Sequence, residues 1–265
     1  MDPLAPLITA LHTEGRLRVW SLIITVFGDL VQHRGGEIST ARLRALLGRV
    51  GVEQGTLRTA LSRLGSDGWV HSERNGRTSL YRLSRQGIER FAPATTRIYA
   101  APRTAPVTKW AAVLTLAGTG AQSVRICPAD EAPAAADCRI VGDLAQVSDA
   151  YRATTLSPDH RQALAALAAD LAALQRPVTT PLDAAAARLL LIHRWRRIVL
   201  RYPDPVPDLM PADAPLTDPR AEVARAYRAL TPAAEVWLSQ ADDGLSAMPD
   251  PVSEVENRFG NMQQT

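Results

Sequence analysis

The sequence predicts a mainly α-helical chain with small β elements. Hydrophobic residues make up 46% of its 265 residues and aromatics only 5%. Apolar side chains recur at three-and-four spacing along most of the chain. Short strand-like runs are confined to two places, about residues 69–83 and 110–141. Charged residues, at 22%, are ordinary for a globular protein and exclude disordered and fibrous classes. The length corresponds to about two domains of roughly 150 residues each.

The first helix is marked by Leu17, Trp20, Ile23, Ile24, Phe27, Leu30 and Val31, which fall on one buried stripe. It stops at His33-Arg34-Gly35-Gly36, a loop by composition. Ser39 or Thr40 caps a second helix, with Leu43, Leu46 and Leu47 inward. Gly48 to Gly51 makes a tight break, and a third helix runs from about Glu53 to Ser66. From Trp69 to Leu83 two strands flank Asn75-Gly76, the strongest two-residue hairpin signal. Val70 and Tyr81 pair on its packed face. A fourth helix, Arg85 to Phe91, ends at Pro93. Helix, helix, turn, helix, hairpin is the order of a winged helix-turn-helix, here over residues 1–100.

Residues 92–108, with Pro93, Pro102 and Pro106, read as a connector. Three strands follow, Trp110–Leu116, Ser123–Ile126 and Cys138–Val141, with an Ala/Pro-rich loop at Pro128–Asp137. They mark a small middle domain over residues 101–150. Residues 151–265 read as a helical C-terminal domain. Ser157-Pro158 starts a helix striped by Leu164, Leu167, Leu171 and Leu174 and ended by Pro177. Another helix spans about Leu182 to Leu200. Six prolines between Pro203 and Pro219 enforce an extended segment. Asp218-Pro219 and Thr231-Pro232 each start a further helix, and the stretch after Gln240, lacking periodicity, is expected to fray.

Charge is divided unevenly. Residues 1–110 carry sixteen Arg and Lys against eight Asp and Glu, and residues 111–265 carry fourteen against nineteen. A basic front half is what a nucleic-acid-binding module shows. Cys127 and Cys138 supply neither a disulfide framework nor a zinc motif. No secretory signal opens the chain. Its most apolar run, Leu17 to Leu30, contains Arg18 and Asp29 and is too short to span a bilayer. A cytoplasmic protein with no membrane partner is expected. Phosphate loops, paired histidine ligands and a Gly-x-Ser-x-Gly elbow are absent from the sequence, so no enzyme, metal or cofactor is expected.

At about 100° per residue the third helix is two-faced. Leu57, Ala60, Leu61 and Leu64 form its core side; Gly55, Arg58, Thr59, Ser62, Arg63 and Ser66 form the other. Short polar side chains between two arginines suit entry into a major groove roughly 12 Å wide, where Arg reads guanine or phosphate. Gln54 stands near the helix start, where base-reading residues concentrate. The competing reading is a solvated face. The hairpin favours DNA: a turn at Asn75-Gly76 sets Arg74 opposite Arg77, a like-charge pair that a phosphate would relieve. Arg82 lies farther down the same hairpin. Trp20 and Trp69 read as core rather than base-stacking residues, and His12, His33 and His71 have no metal partners at ligand spacing.

A second cluster lies on the 182–200 helix. His193, Arg194, Arg197 and Arg201 form a cationic ridge backed by Leu191, Ile192, Trp195, Ile198 and Val199. It would suit an anionic, partly apolar effector. The alternative is a surface stripe neutralised by acids such as Asp204 or Asp208.

Gly51-Val52-Glu53-Gln54-Gly55-Thr56-Leu57-Arg58-Thr59-Ala60-Leu61-Ser62-Arg63-Leu64, then Gly68-Trp69 and Gly76-Arg77-Thr78-Ser79-Leu80-Tyr81-Arg82-Leu83, resemble the PaaX-type repressors of phenylacetate degradation. Arg97-Ile98-Tyr99 matches the close of that family's DNA-binding domain. Leu191-Ile192-His193-Arg194-Trp195-Arg196-Arg197 and Leu209-Met210-Pro211-Ala212-Asp213 resemble its C-terminal signature. The resemblance implies a winged helix, a small ferredoxin-like middle domain and a helical C-terminal effector and dimerisation domain. It implies a homodimer that binds double-stranded operator DNA and is released by an acyl-CoA such as phenylacetyl-CoA. One departure is plain: Leu116-Ala117-Gly118-Thr119-Gly120 leads almost directly into the second middle strand, where the family places an Arg/Leu-rich helix. The alternative is a winged-helix regulator of an unrelated pathway, with a different small-molecule effector or none. A catalytic C-terminal domain behind a DNA-binding head has no convergent nucleophile, base and metal set to support it.

Overall fold

A helix lies upstream of the first one predicted: α1 (Ala5–Thr13) has Pro6 in its first turn and buries Leu7 and Leu11. The structure, a computed structural model, describes residues 2–15, 17–76, 78–116, 122–241, 244–252 and 257–260. The expected apolar stripe forms α2 (Val19–Val26), but the helix then widens into a π-turn at Phe27–Val31 and tightens into a 3-10 turn at Gln32–Arg34. Asp29 is thereby fully buried. His33 and Arg34, expected in a loop, are buried as well, because their side chains reach Glu235.

A strand too short for any alternation to reveal, β1 (Glu37–Ser39), leads into α3 (Thr40–Arg49). Ser39 is the cap: its Oγ accepts the Arg42 N–H at 3.1 Å. Gly51, at φ +83°, makes the turn to α4 (Gln54–Ser66), which buries Leu57, Leu61 and Leu64. Then come β2 (Val70–Asn75), β3 (Thr78–Leu83) and α5 (Arg85–Ile98), the last capped by Ser84. The three strands pair antiparallel in the order β1-β3-β2. Pro93 does not end α5; the one bond its missing N–H forfeits, to the Glu89 carbonyl a turn earlier, falls on an exposed stretch of the helix. Residues 92–98 are therefore helix, not connector, and they deliver Ile98 and Tyr99 to the interior.

The middle strands form as expected within two residues: β4 (Trp110–Leu116), β5 (Gln122–Pro128) and β6 (Cys138–Gly142), antiparallel in the order β5-β4-β6. Leu116 pairs directly with Gln122, and residues 117–121 of the shortened connection lie outside the described residues. A short helix not predicted, α6 (Asp149–Thr154), is capped by Ser148. The helix α7 (Pro158–Ala173) starts where Ser157-Pro158 predicted, with Ser157 Oγ accepting the His160 N–H. Next are α8 (Pro181–Val199), capped by Thr180, and α9 (Pro219–Ser239). Thr231-Pro232 does not start a new helix: α9 runs through it, with the Thr231 hydroxyl bonded back to the Tyr227 carbonyl. Beyond Gln240 the described residues are fixed rather than frayed. Met248 N–H donates to the Leu238 carbonyl, Val252 N–H to His33, and Phe259 N–H to Tyr99.

The chain packs as two compact units. The first joins Met1–Pro102 to Ala166–Tyr202 and Arg220–Thr265. At its centre is α8, buried from Asp183 to His193, with α1, α2, α3 and α5 packed against it. The second comprises Arg103–Ala165 and Pro203–Pro219. There Ala111, Val113 and Cys127 cover one face of the β5-β4-β6 sheet with Ala129, Ala132 and Ala136. In the same unit Leu209 and Met210 are buried, Arg152 donates to the Asp208 carbonyl, and Arg161 pairs with Asp213 at 3.2 Å. Among the described residues no helix is long and apolar enough to cross a membrane.

Candidate nucleic-acid interface

Gln54, Gly55, Arg58, Thr59, Ser62 and Arg63 all lie exposed on α4, opposite its leucines. The Thr59 hydroxyl bonds back to the Gly55 carbonyl, and Ser66 to Ser62, each at 3.1 Å. Both hydroxyls thus lie against the helix. Arg63 stands 3.6 Å from Asp67, an exposed pair of little energy. A Cβ added at Gly55 would meet nothing within 4 Å.

The hairpin differs from its expected register. Asn75 pairs with Thr78 and Arg74 with Ser79, so Val70 faces Leu83 and Ser72 faces Tyr81. Gly76, at φ +60°, occupies the first central position of the turn, which a left-handed residue fills most cheaply. The expected Arg74–Arg77 pairing across the strands is therefore not made; Arg77 itself lies outside the described residues. Arg74 is exposed, its Nε donating to the Gly76 carbonyl at 3.3 Å. Of Asn75 only the backbone is described.

Because the slip is by two residues, the strand faces are kept. Ile38, Val70 and Leu83 are buried toward the helices, and Arg74, Ser79 and Tyr81 share that side of the sheet. Arg82 lies on the other side, opposite Glu37 and His71 in the ladder. Its guanidinium is ion-paired with Glu37 and stands 3.5 Å from Glu73. The register with β1, invisible in the sequence, is what brings Arg82 to Glu37.

Between α3, the first half of α4 and β3 lies a cleft of about 390 Å³, whose walls include Arg44, Gln54, Arg58, Ser79 and Tyr81. The Thr40 hydroxyl, donating to the Ser79 carbonyl at 3.0 Å, ties α3 to β3 at its edge. Among the described residues no carboxylate pairs with Arg44, Arg58 or Arg74. Arg44 and Tyr81 escaped sequence reasoning. The signal was available for Arg44, which faces away from Leu43, Leu46 and Leu47 on the same helix.

The second predicted cluster does not form one ridge. His193 is buried and bonded to the Thr25 hydroxyl at 3.0 Å. Burial first, then the charges of Arg196, Arg197 and Arg194, bring its pKa down to about 3. Arg194 is bound by Asp170 and by Glu14, the latter at 2.7 Å; these, rather than Asp204 or Asp208, neutralise it. Arg197 and Arg201 are exposed, the latter with its guanidinium over the Tyr202 ring. Trp20 and Trp69 are half-buried, and Arg90 lies 5.4 Å over the Trp69 ring. Among the described residues no group of three His, Cys, Asp or Glu is placed to hold a metal ion.

Residues 18–87 match the family model described as PaaX-like protein, and residues 143–240 match the PaaX-like protein C-terminal domain. The chain is 30% identical to the transcriptional repressor PaaX of Escherichia coli (strain K12) over 287 aligned positions, covering 91% of this chain and 90% of that protein. A solved structure, uncharacterized protein Rv0674 from Mycobacterium tuberculosis, is similar at 19% identity and a TM-score of 0.47, over 80% of this chain and 95% of that one.

Proposed function

Because the chain belongs to the PaaX-like family, we propose that it is a transcriptional repressor of an aromatic, phenylacetate-type catabolic operon that binds operator DNA as a homodimer. Residues 1–100 act as a winged helix-turn-helix, with α3 and α4 as the helix pair and the β2–β3 hairpin as the wing. The observation that carries this reading is the exposed face of α4: short polar side chains between Arg58 and Arg63, on a helix whose leucines hold it to the body. Gln54, Gly55, Arg58, Thr59, Ser62 and Arg63 enter the major groove. Arg74, on the same side of the sheet, and the turn at Asn75 and Arg77 meet the adjacent backbone.

An acyl-CoA effector releases the operator. Of the residues expected to meet it, Arg197 and Arg201 present exposed guanidiniums, while His193 and Arg194 hold the fold around them.

A mobility-shift titration at fixed salt against the region upstream of the chain's own gene tests the groove assignment. Arg58→Ala is expected to lose roughly 5- to 150-fold in affinity, the range for one bidentate base contact. Unchanged binding would remove α4 from the groove. An acyl-CoA panel tests the effector: a thioester is expected to lower DNA affinity more than free CoA does, and no response across the panel would refute it.

A further inference from the structure

Arg42 sits on α3, on the side away from the α4 cleft, with no exposed surface at all. Its NH1 donates to the Trp237 carbonyl at 2.5 Å, and its NH2 to the carbonyls of Gln240 at 2.6 Å and Ser246 at 2.9 Å. Its guanidinium carbon lies 4.7 Å over the Trp237 ring. These partners cap the end of α9, whose aligned peptide dipoles offer roughly half of one negative charge. Arg42 brings a whole positive one. Among the described residues no carboxylate stands at ion-pairing distance, and its Nε–H, also buried, meets no acceptor. Burial and the neighbouring Arg34 charge both push its pKa down. A buried cation left half-compensated, with a spare donor, calls for an anion.

Beside it is a cleft of about 420 Å³, walled by Arg42, Glu37, Ser39, Leu80 and the segment Ser246–Pro249. That volume is in the range of small-molecule sites. Its walls combine one cation and two hydroxyls, those of Ser39 and Ser246, with apolar surface from Leu80, Ala247, Met248 and Pro249. Glu37, the one acid among them, is already engaged by Arg82. We propose that this cleft is a binding site for a small organic carboxylate: the under-compensated charge of Arg42, buried in its wall, attracts the carboxylate, a serine hydroxyl donates to it, and the apolar body lies against Leu80 and Met248. The site is distinct from the α4 surface and from the 182–200 helix, and it requires nothing of the DNA-binding reading.

The test uses the full chain without DNA. 2-Naphthoate and its uncharged isostere 2-naphthamide are titrated by calorimetry, with tryptophan emission followed in parallel because Trp237 is in contact with Arg42. Naphthoate is expected to bind at least tenfold tighter than the amide, the span of a charge-assisted hydrogen bond. Ala247→Glu, an exposed position that leaves Arg42 untouched, sets a fixed negative charge at the mouth and is expected to cost naphthoate tenfold or more while sparing the amide. Arg42→Ala is a less clean probe, since it also uncaps α9. Equal affinity of acid and amide, no binding of naphthoate at millimolar concentration, or an Ala247→Glu variant that binds naphthoate like the wild type would each overturn the proposal.

Discussion

Arg188 Nε donates to Asp29 Oδ2 at 2.9 Å, and neither side chain has any exposed surface. The two residues are 159 positions apart, one on α8 and one in the π-turn that continues α2. The Tyr99 hydroxyl also donates to Asp29, at 2.7 Å, as does Arg258 at 3.1 Å. Arg188 NH1 goes on to Glu235 at 2.7 Å, whose carboxylate takes Arg34 and His33 as well. Burial alone would raise the Glu235 pKa, but the His33 hydrogen bond and the Arg188 charge hold it well below the ordinary carboxylate value. Breaking one side of such a pair leaves a buried charge uncompensated. Asp29→Asn and Arg188→Met are each expected to lower stability by about 3–5 kcal/mol. The double variant Asp29→Asn with Arg188→Met should cost clearly less than the sum. Additive losses in urea denaturation would show that the pair does not act as a unit.

The hairpin register separates two arginines that sequence alone treats alike. Arg74, without an acidic partner among the described residues, shares the side of Tyr81; Arg82 is committed to Glu37 and Glu73 on the other. Arg74→Ala is expected to weaken DNA binding about equally across sequences and to lower the salt-dependence slope by about one unit, as loss of one phosphate contact does. Arg82→Ala should leave that slope unchanged and cost at most about 1 kcal/mol of stability, because its ion pairs are half-exposed. Equal slopes for Arg74→Ala and the parent would refute the placement of Arg74 at the backbone.

How far the sequence revealed this molecule follows from which signals are local. Stripes such as Leu57-Leu61-Leu64 and caps such as Ser39 and Ser157 act within one turn of helix, and the elements they predict are found where expected. Elements without such a signal, β1 with three residues and α6 with six, were not legible. Prolines misled twice: Pro93 and Pro232 each read as a boundary, yet both sit inside helices whose remaining bonds and packing outweigh the one lost. The exposed α4 face was legible because one helix suffices to define it. Arg82, His193 and Arg194 were not, since Glu37, Thr25 and Asp170 reach them only through tertiary structure.

His193 makes a pH dependence with a definite sign. In the unfolded chain an ordinary histidine takes its proton near pH 6.5; in the fold, burial and three neighbouring arginines delay that to about pH 3. Between these values the unfolded state binds more protons, so stability falls as pH falls. The penalty is absent well above pH 6.5, grows below it by up to about 1.4 kcal/mol per pH unit, and is complete near pH 3. His193→Asn keeps a polar partner for the Thr25 hydroxyl without a titrating group. Its stability should fall less steeply than the parent's between pH 6.5 and 4. Parallel pH profiles from chemical denaturation would show that His193 is protonated in the fold.

The C-terminal segment, which carries no periodicity, is expected to be indispensable to the first unit. Phe259 is fully buried and holds φ +60°, a left-handed conformation costly for a phenylalanine. The cost is offset by what it reaches: its ring lies 5.5 Å from Tyr99 at 77° and 5.3 Å from Tyr227, and its N–H bonds to the Tyr99 carbonyl at 2.8 Å. Next to it, Arg258 spans Asp29, the Gly28 carbonyl and the Tyr227 hydroxyl. Phe259→Ala is therefore expected to lose about 3–5 kcal/mol, the range for deleting a buried aromatic ring. That corresponds to roughly 6–20 °C in melting temperature for a unit of this size. Deleting residues 257–265 should do at least as much, because it also leaves Asp29 short of one cationic partner. Hydrogen exchange at Tyr99, Tyr227 and the α8 amides would rise in both variants. A tail-deleted chain that melts like the parent would mean that Phe259 and Arg258 are not held in this core in solution.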